Sequence, residues 1–550
     1  MISQEPLQAD SAKVINTVVS CKSDISTSPQ ISETHPNRKK GWVVQKFGGT
    51  SVGKFAVKIA EDIVLSGLKS SHRIAVVCSA RNPTTKSQGT TTQLVCAARD
   101  VLDPCSNKFR EIVEKIRHDH LRAGKEACSS ANDPSNEDIF IAYSHSVNQE
   151  CCNLLKVLEA AQSLRAVTDQ TEDMVISVGE KLSCLYMTAL LQTRGVPAAY
   201  VDLSELVTFQ IGKGLGENFY QQLNEAIAER VHDLGPDTVP VITGYFGPVP
   251  GGLLKEVGRG YTDLCGALTA VGLKARELQV WKEVDGIFTA DPRKVPTARL
   301  LDSVTPSEAA ELTFYGSEVI HPFTMDQVIR ARIPIRIKNV TNPQSPGTVV
   351  IPDPDDIRLV SRPSLFRKSS TRHDLCSKDH AFRQPTAVTV KQNITVLNVH
   401  SRKRTRTQGF LMNIFKILNT HHLSVDLISS SEVHVSMALH SERSLLSGSC
   451  EREMRIESAA LQAAVDDLAV WGDVDLVPRM AIISLVGRQL KTMIGISGRF
   501  FSTLGENGIN IEMISQGASE INISCVIDEA DADRALNVVH ASLFQSLGNE

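Results

Sequence analysis

Residues 42–53 read Trp-Val-Val-Gln-Lys-Phe-Gly-Gly-Thr-Ser-Val-Gly, a short apolar strand that runs into a lysine, a glycine pair and two hydroxyls. Phe55, Ile59 and Ile63 follow four residues apart, the spacing of a helix with one buried face. Strand, glycine turn and helix in immediate succession point to an open α/β sheet, whose ligands sit beyond the carboxyl ends of the strands. There the turn can offer free backbone N–H groups to an anion such as phosphate. The lysine precedes the glycines, so this is neither a Gly-x-x-x-x-Gly-Lys-Ser/Thr loop nor a Gly-x-Gly-x-x-Gly dinucleotide turn.

A chain of 550 residues is too long for one core and implies about three domains. Net charge is −4, which excludes a general polyanion-binding surface and leaves any phosphate chemistry to local cations. No apolar run reaches the roughly 18 residues of a membrane span. The 12 cysteines are scattered without a Cys-x-x-Cys pair, which argues against a zinc site or a disulfide framework and for a reducing, cytoplasmic setting. Residues 1–40 carry Glu5, Asp10, Asp24 and Glu33 against one arginine, Arg38, and lack a signal-length apolar stretch. They are expected to form a disordered tail rather than a targeting segment.

From residue 41 to 352, strand-like runs alternate with helical patterns. Strands are expected at Ile74–Cys78, Met174–Val178, Ala198–Val201, Pro240–Thr243, Glu277–Lys282 and Pro334–Lys338, and helices around Asn148–Ala161 and from Thr262 to about Ala275. The alternation implies a largely parallel sheet covered on both faces. Residues 353–390, rich in Pro, Ser, Arg and His at their start, are expected to be a linker. Residues 391–475 and 476–550 then repeat one pattern. Gly409 corresponds to Gly495, Phe415 to Phe501, Leu418 to Leu504, Val425 to Ile511, Asp426 to Glu512 and Ile428 to Ile514, at constant spacing. Strand, helix, strand, strand is the opening of a ferredoxin-like βαββαβ unit.

Four more clusters accompany the opening segment: Ser177-Val-Gly-Glu180-Lys, expected to follow a strand; Gly258-Arg-Gly-Tyr-Thr-Asp263 at a helix start; Asp285-Gly-Ile-Phe-Thr-Ala-Asp-Pro-Arg293 in a loop; and Arg336-Ile-Lys338-Asn at a strand end. With Lys46-Phe-Gly-Gly-Thr-Ser-Val and Glu318-Val-Ile-His-Pro-Phe-Thr, this ordered series resembles the motifs of the aspartokinase family over about residues 41–545. Its details are most similar to fungal members. The resemblance implies an amino-acid-kinase three-layer α/β sandwich followed by two ACT modules. It also implies transfer of the ATP γ-phosphoryl group to the β-carboxylate of L-aspartate, in the first step of methionine, threonine and isoleucine synthesis.

On that resemblance Lys46, Arg259, Asp263 and Glu180 are the expected catalytic set. Lys46 with Gly48, Gly49, Thr50 and Ser51 would meet the phosphates, and the fork of Arg259 would take the α-carboxylate of aspartate. Glu180 and Asp263 would receive the α-ammonium, with Thr91, Tyr245 and Thr262 lining the same pocket. Thr262 and Asp263 are also good helix N-caps, a role compatible with catalysis. Lys282, Phe288, Asp291, Arg293 and Lys338 would serve ATP. Phe288 stands where bacterial members often have tyrosine, and Lys282-Glu283 where they often have Thr-Asp, so the adenosine contacts stay open. No His/Cys cluster suggests a protein-held metal; Mg²⁺ would arrive with ATP. The resemblance also implies an amino-acid effector site at Phe410, Leu411, Val425, Asp426, Ser430, Ser431 and Glu432, with Asn510, Ile511 and Gln516 in the second copy. It suggests L-threonine as effector, although residue types alone do not separate threonine from lysine, and a homo-oligomer built through the ACT modules.

Overall fold

The computed structural model describes residues 41–70, 72–83, 88–129, 135–209, 215–258, 260–314, 322–351, 384–402, 409–431, 433–440, 445–447, 455–488, 490–517 and 521–544. The first domain is built on β1 (Trp42–Phe47), β2 (Arg73–Cys78), β3 (Ala198–Val201), β4 (Val239–Thr243), β5 (Glu277–Lys282), β6 (Ser303–Val304), β7 (Ile335–Asn339) and β8 (Thr348–Val350). They form one sheet in the order β3-β4-β2-β1-β5-β7-β8-β6, parallel except where β7 meets β8. Alternate residues of the central strands enter opposite cores. Trp42, Val44, Ala75 and Val77 pack with the helices Glu217–His232 and Tyr261–Gly272. Val43, Phe47, Val76 and Cys78 pack with the helices on the other face. Lys46 lies, by this alternation, on the face of the Tyr261–Gly272 helix.

The segment Met174–Val178 is not a strand. It lies inside the helix Asp169–Gln192, which places Ser177 and Glu180 in mid-helix. The Thr168 side chain caps the helix by accepting from the Thr171 N–H, and Asp169 and Glu172 favour its positive end. Packing nearly all round replaces a one-sided apolar stripe with a continuous apolar run, and that run imitates a buried strand. Helix formation after β1 holds, but the helix Gly49–Lys58 kinks at Phe55 and passes into a π-helical turn, Ile59–Val64.

The C-terminal sheet contains β9 (Ala387–Ser401), β10 (Val425–Ser430), β11 (His434–His440), β14 (Gly472–Val486), β15 (Met513–Ser515) and β16 (Asn522–Asp528), in the order β10-β11-β9-β14-β16-β15. A separate hairpin pairs β12 (Leu446–Ser447) with β13 (Arg455–Ile456). β9 and β14 run antiparallel along their whole lengths, and each serves both repeats. The later part of β9 pairs with β11 and the early part of β14 in the first unit. The later part of β14 pairs with β16 and with Ala387–Lys391 in the second. Ala387–Lys391 therefore supplies the last strand of the second unit from a position before the first. Strand structure begins inside the stretch expected to be linker, and β14 runs unbroken through the expected boundary at residue 476. Val388 and Val390 face the second unit's core, and that burial draws the strand out of the linker.

Both helices that follow the first strand of a unit start after a left-handed glycine, Gly409 at φ 82° and Gly495 at φ 79°. That backbone suits glycine and fixes the turn in both copies. If β9 completes the second unit, Val388→Asp buries a charge in its core. The variant should lose about 3 kcal/mol or more, lowering the calorimetric melting midpoint by about 6 °C or more. An unchanged midpoint would show that this strand is not needed by the fold.

Candidate active site

The carboxyl edge of the first sheet gathers the motif residues. At the end of β1 the Lys46 ammonium sits 2.6 Å from an Asp263 oxygen, with both side chains largely buried. Asp263 belongs to the first turn of the Tyr261–Gly272 helix, beside Thr262. The Thr262 hydroxyl donates to Glu180 at 2.5 Å. Glu180 also accepts the Tyr245 backbone N–H and lies beside the Tyr261 hydroxyl and Lys46. Burial nevertheless dominates and pushes its carboxyl from 4.5 up to about 7. The Tyr245 hydroxyl is buried without a hydrogen-bond partner among the described residues, a polar atom available to a ligand. Thr91 is half-buried at the start of the helix Thr90–Asp100. Arg259 lies outside the described residues.

Behind β1 the chain passes through Gly48 in extended conformation and enters the helix at Gly49. A Cβ on Gly49 would lie 2.1 Å from the Ala80 carbonyl oxygen, so only glycine lets the two strand-end turns approach this closely. The Gly49 carbonyl accepts the Asn82 N–H, which locks the turns together. The first helical N–H groups, those of Gly49, Thr50 and Ser51, lie within the turn that has no intrahelical acceptor. The Ser51 hydroxyl donates to Glu283 at 2.6 Å. Glu283 follows β5 directly and joins the phosphate-type turn to the next group of residues. In the sequence Glu283 stands out only as a departure from a motif, yet its place at a strand's carboxyl end is a usable signal.

Lys282, Glu283, Phe288, Asp291 and Arg293 line one cavity of about 810 Å³. Its far wall is formed by Val388, Thr389 and Val390 of β9 and by Leu536. Asp291 pairs with Arg293 at 2.8 Å, and that partner holds its carboxyl below the usual range. The Arg293 side chain is 88% exposed, open to a ligand. Lys338 is not in the cavity wall; its ammonium lies 5.0 Å from the centre of the Trp281 ring, and burial lowers its pKa. Two groups of expected residues thus meet along one sheet edge, one around the Lys46–Asp263 pair and one around the cavity, with Ser51–Glu283 between them.

At the expected effector site, Phe410 and Leu411 begin the helix Phe410–Thr420, and Val425, Asp426 and Ser430 lie on β10. Asp426 is occupied: Lys391 of β9 lies 2.6 Å away, and the Asp426 side chain is 5% exposed. Ser431 closes the turn, its hydroxyl accepting the His434 N–H. Glu432 lies outside the described residues. In the second copy Asn510 is exposed, Ile511 is half-buried, and Gln516 accepts from the Ser497 hydroxyl at 3.1 Å.

The profile of the Amino acid kinase family matches residues 41–339, and an ACT domain profile matches residues 483–543. The aspartokinase of Schizosaccharomyces pombe is 48% identical over 92% of this chain and 94% of its own length. The structure of E. coli aspartokinase III in complex with aspartate and ADP (R-state) is similar with a TM-score of 0.64 at 27% identity, covering 91% of this chain and 99% of that one. The same enzyme in complex with lysine and aspartate (T-state) gives a TM-score of 0.68 at 28% identity, with the same coverage of 91% and 99%.

The raised Glu180 pKa has a consequence for stability. The folded chain holds this proton more tightly than the unfolded chain, so the stability it confers below 4.5 is lost as pH rises through about 7. Glu180→Gln should flatten that decline. Thermal melts of both proteins across this window will show it; parallel curves would mean that Glu180 ionises normally.

Proposed function

The chain belongs to the aspartokinases of the amino acid kinase family, and on that premise we propose how its residues move the ATP γ-phosphoryl group onto the β-carboxylate of L-aspartate. A carboxylate with a pKa near 4 is already ionised at neutral pH, so no general base is required. The chemistry needs in-line placement and positive charge around a loose phosphoryl transition state. Lys46 supplies that charge, and Asp263 holds its ammonium on the sheet's edge. The N–H groups of Gly48, Gly49 and Ser51 and the hydroxyl of Thr50 add donors to the same phosphates, while the Ser51 hydroxyl stays on Glu283. The observation that most supports this reading is the largely buried Lys46–Asp263 pair beside Glu180, a charged cluster held at the strand ends.

Aspartate fits the other side of Lys46. Arg259 takes its α-carboxylate, on the strength of the family motif. Glu180 faces its α-ammonium, whose approach favours the ionised carboxylate, while Thr91, Tyr245 and Thr262 complete the wall. The nucleotide occupies the cavity of Lys282, Phe288, Asp291 and Arg293, with Lys338 and Trp281 at its edge. Mg²⁺ would come with the nucleotide, held largely by its phosphates and by water. The ion itself would enter on the phosphates, whose charge it neutralises.

The effector we infer is an amino acid, L-threonine by likeness to the fungal enzymes. Its ammonium would take the place of the Lys391 cation at Asp426, and its carboxylate would meet the free N–H groups at Phe410 and Leu411. Glu432, Ser430 and Ser431 would flank it, with Asn510, Ile511 and Gln516 offering the matching elements of the second module. Leu411, Met412, Phe415 and Ile428 are large apolar side chains exposed on the first module, which supports self-association there. We place the enzyme in the cytoplasm, at the entry to methionine, threonine and isoleucine synthesis.

Lys46→Ala or Arg259→Ala should reduce aspartate-dependent acyl phosphate, trapped with hydroxylamine, by about 100-fold or more. Wild-type turnover in either variant removes that residue from the mechanism. Asp426→Ala should weaken inhibition by threonine or lysine while leaving uninhibited turnover largely intact. Unchanged inhibition would move the effector elsewhere.

A further inference from the structure

The loop that carries Phe288, Asp291 and Arg293 is not held by the catalytic domain alone. Thr289, buried at its centre, donates its N–H to the Arg299 carbonyl at 2.9 Å, and its hydroxyl oxygen accepts the Arg299 N–H at 2.9 Å. Its carbonyl accepts the N–H of Val388 on β9 at 2.8 Å. The same hydroxyl lies 2.9 Å from Nε2 of His540, in the last helix of the second ACT module. Because that oxygen already accepts from Arg299, its proton is free to point at Nε2. The imidazole then carries its own proton on Nδ1, which faces the Thr297 hydroxyl at 3.4 Å.

His540 belongs to a row on the helix Ala532–Phe544. Asp533 pairs with Lys294 at 2.8 Å, and Asn537 donates to the Lys294 carbonyl at 3.1 Å. Beyond His540, the Phe544 carbonyl accepts from Arg299 at 3.3 Å. Positions 533, 537, 540 and 544 share one helix face, and all four meet the stretch 289–299. Ala290 and Val295 of that stretch are buried in the module's own apolar core, with Leu536 and Val539. His540 is 1% exposed, and burial together with Arg299 lowers its pKa, in keeping with a neutral ring that accepts from Thr289.

We propose that the second ACT module is a structural part of the nucleotide site, with His540 as a positioning residue that holds Thr289 and so sets the loop of Phe288, Asp291 and Arg293 for ATP. This rests on the assignment of those three residues to the nucleotide. It gives any shift of the module a direct route to ATP affinity, through β9 and through the helix-face contacts, of which His540 to Thr289 is the one at the loop's centre.

The test is steady-state kinetics of the full-length enzyme, with ATP and aspartate varied separately. His540→Ala should raise KM for ATP about tenfold, the loss of one well-formed buried hydrogen bond. KM for aspartate and kcat should stay within about twofold, because neither aspartate placement nor the transition state is touched. His540→Gln, whose amide can reach the Thr289 hydroxyl, should recover most of the loss, and Thr289→Val should reproduce it. Arg293→Ala tests the nucleotide assignment itself. If Arg293→Ala raises KM for ATP and neither His540→Ala nor Thr289→Val does, the positioning role is overturned while the assignment stands. If none of the three raises it, the assignment falls and the proposal with it. Equal rises in both KM values, or no recovery in His540→Gln, would reduce His540 to a general packing role and overturn the proposal. Should His540→Ala fail to fold, Thr289→Val and His540→Gln decide the question alone.

Discussion

The ion pair of Lys46 and Asp263 is the contact on which the catalytic half depends. A lysine at the end of a buried central strand leaves water at considerable cost unless a carboxylate meets it. Asp263 does so from the first turn of a helix that packs on the same face of the sheet. The pair links a strand, a helix start and the turn at Gly48–Gly49 in one place. Glu180 arrives from a third element and is held by Thr262, the neighbour of Asp263. These charges are buried and paired before any ligand enters, which is the condition for electrostatic preorganisation.

The regulatory half follows from two long strands, each shared by both repeats. Because β9 starts in the second unit and ends in the first, neither unit closes its sheet alone. The same strand carries Val388, bonded to Thr289 of the loop proposed for ATP, and Lys391, paired with Asp426 of the expected effector site. Lys391 also lies 4.6 Å from the centre of the Phe314 ring, on a helix of the catalytic domain. A single strand thus touches the loop proposed for the nucleotide, the proposed effector position and the helix Pro306–Phe314. Physical coupling between sites requires a connected element with two arrangements, and β9 supplies the connection.

Much of this was legible in the residues. The β1 segment, the helix at Tyr261–Gly272, β5 and β7 follow from short-range patterns, and the motif residues Lys46, Thr262 and Asp263 fall where those patterns end. The misreading at Met174–Val178 has a definite cause: a helix buried on nearly every side loses the periodicity that identifies it. The start of β9 resembles linker because its apolar residues gain meaning only against β14. Nothing near Glu283 in sequence marks it as the partner of Ser51, 232 positions away. His540 carried no signal at all, since a lone histidine on an apolar helix resembles any core residue.

The chain by itself determined the alternation of elements, the glycine turn after β1, the duplicated C-terminal pattern and the residue types of the pocket. Those features depend on neighbours within a few residues, where spacing and backbone preference act directly. Tertiary structure decided which partners meet: Lys46 with Asp263, Ser51 with Glu283, Lys391 with Asp426, and Thr289 with His540. Each pair joins residues far apart along the chain, and only the order of strands in the two sheets, together with the burial that order enforces, brings their atoms within bonding distance.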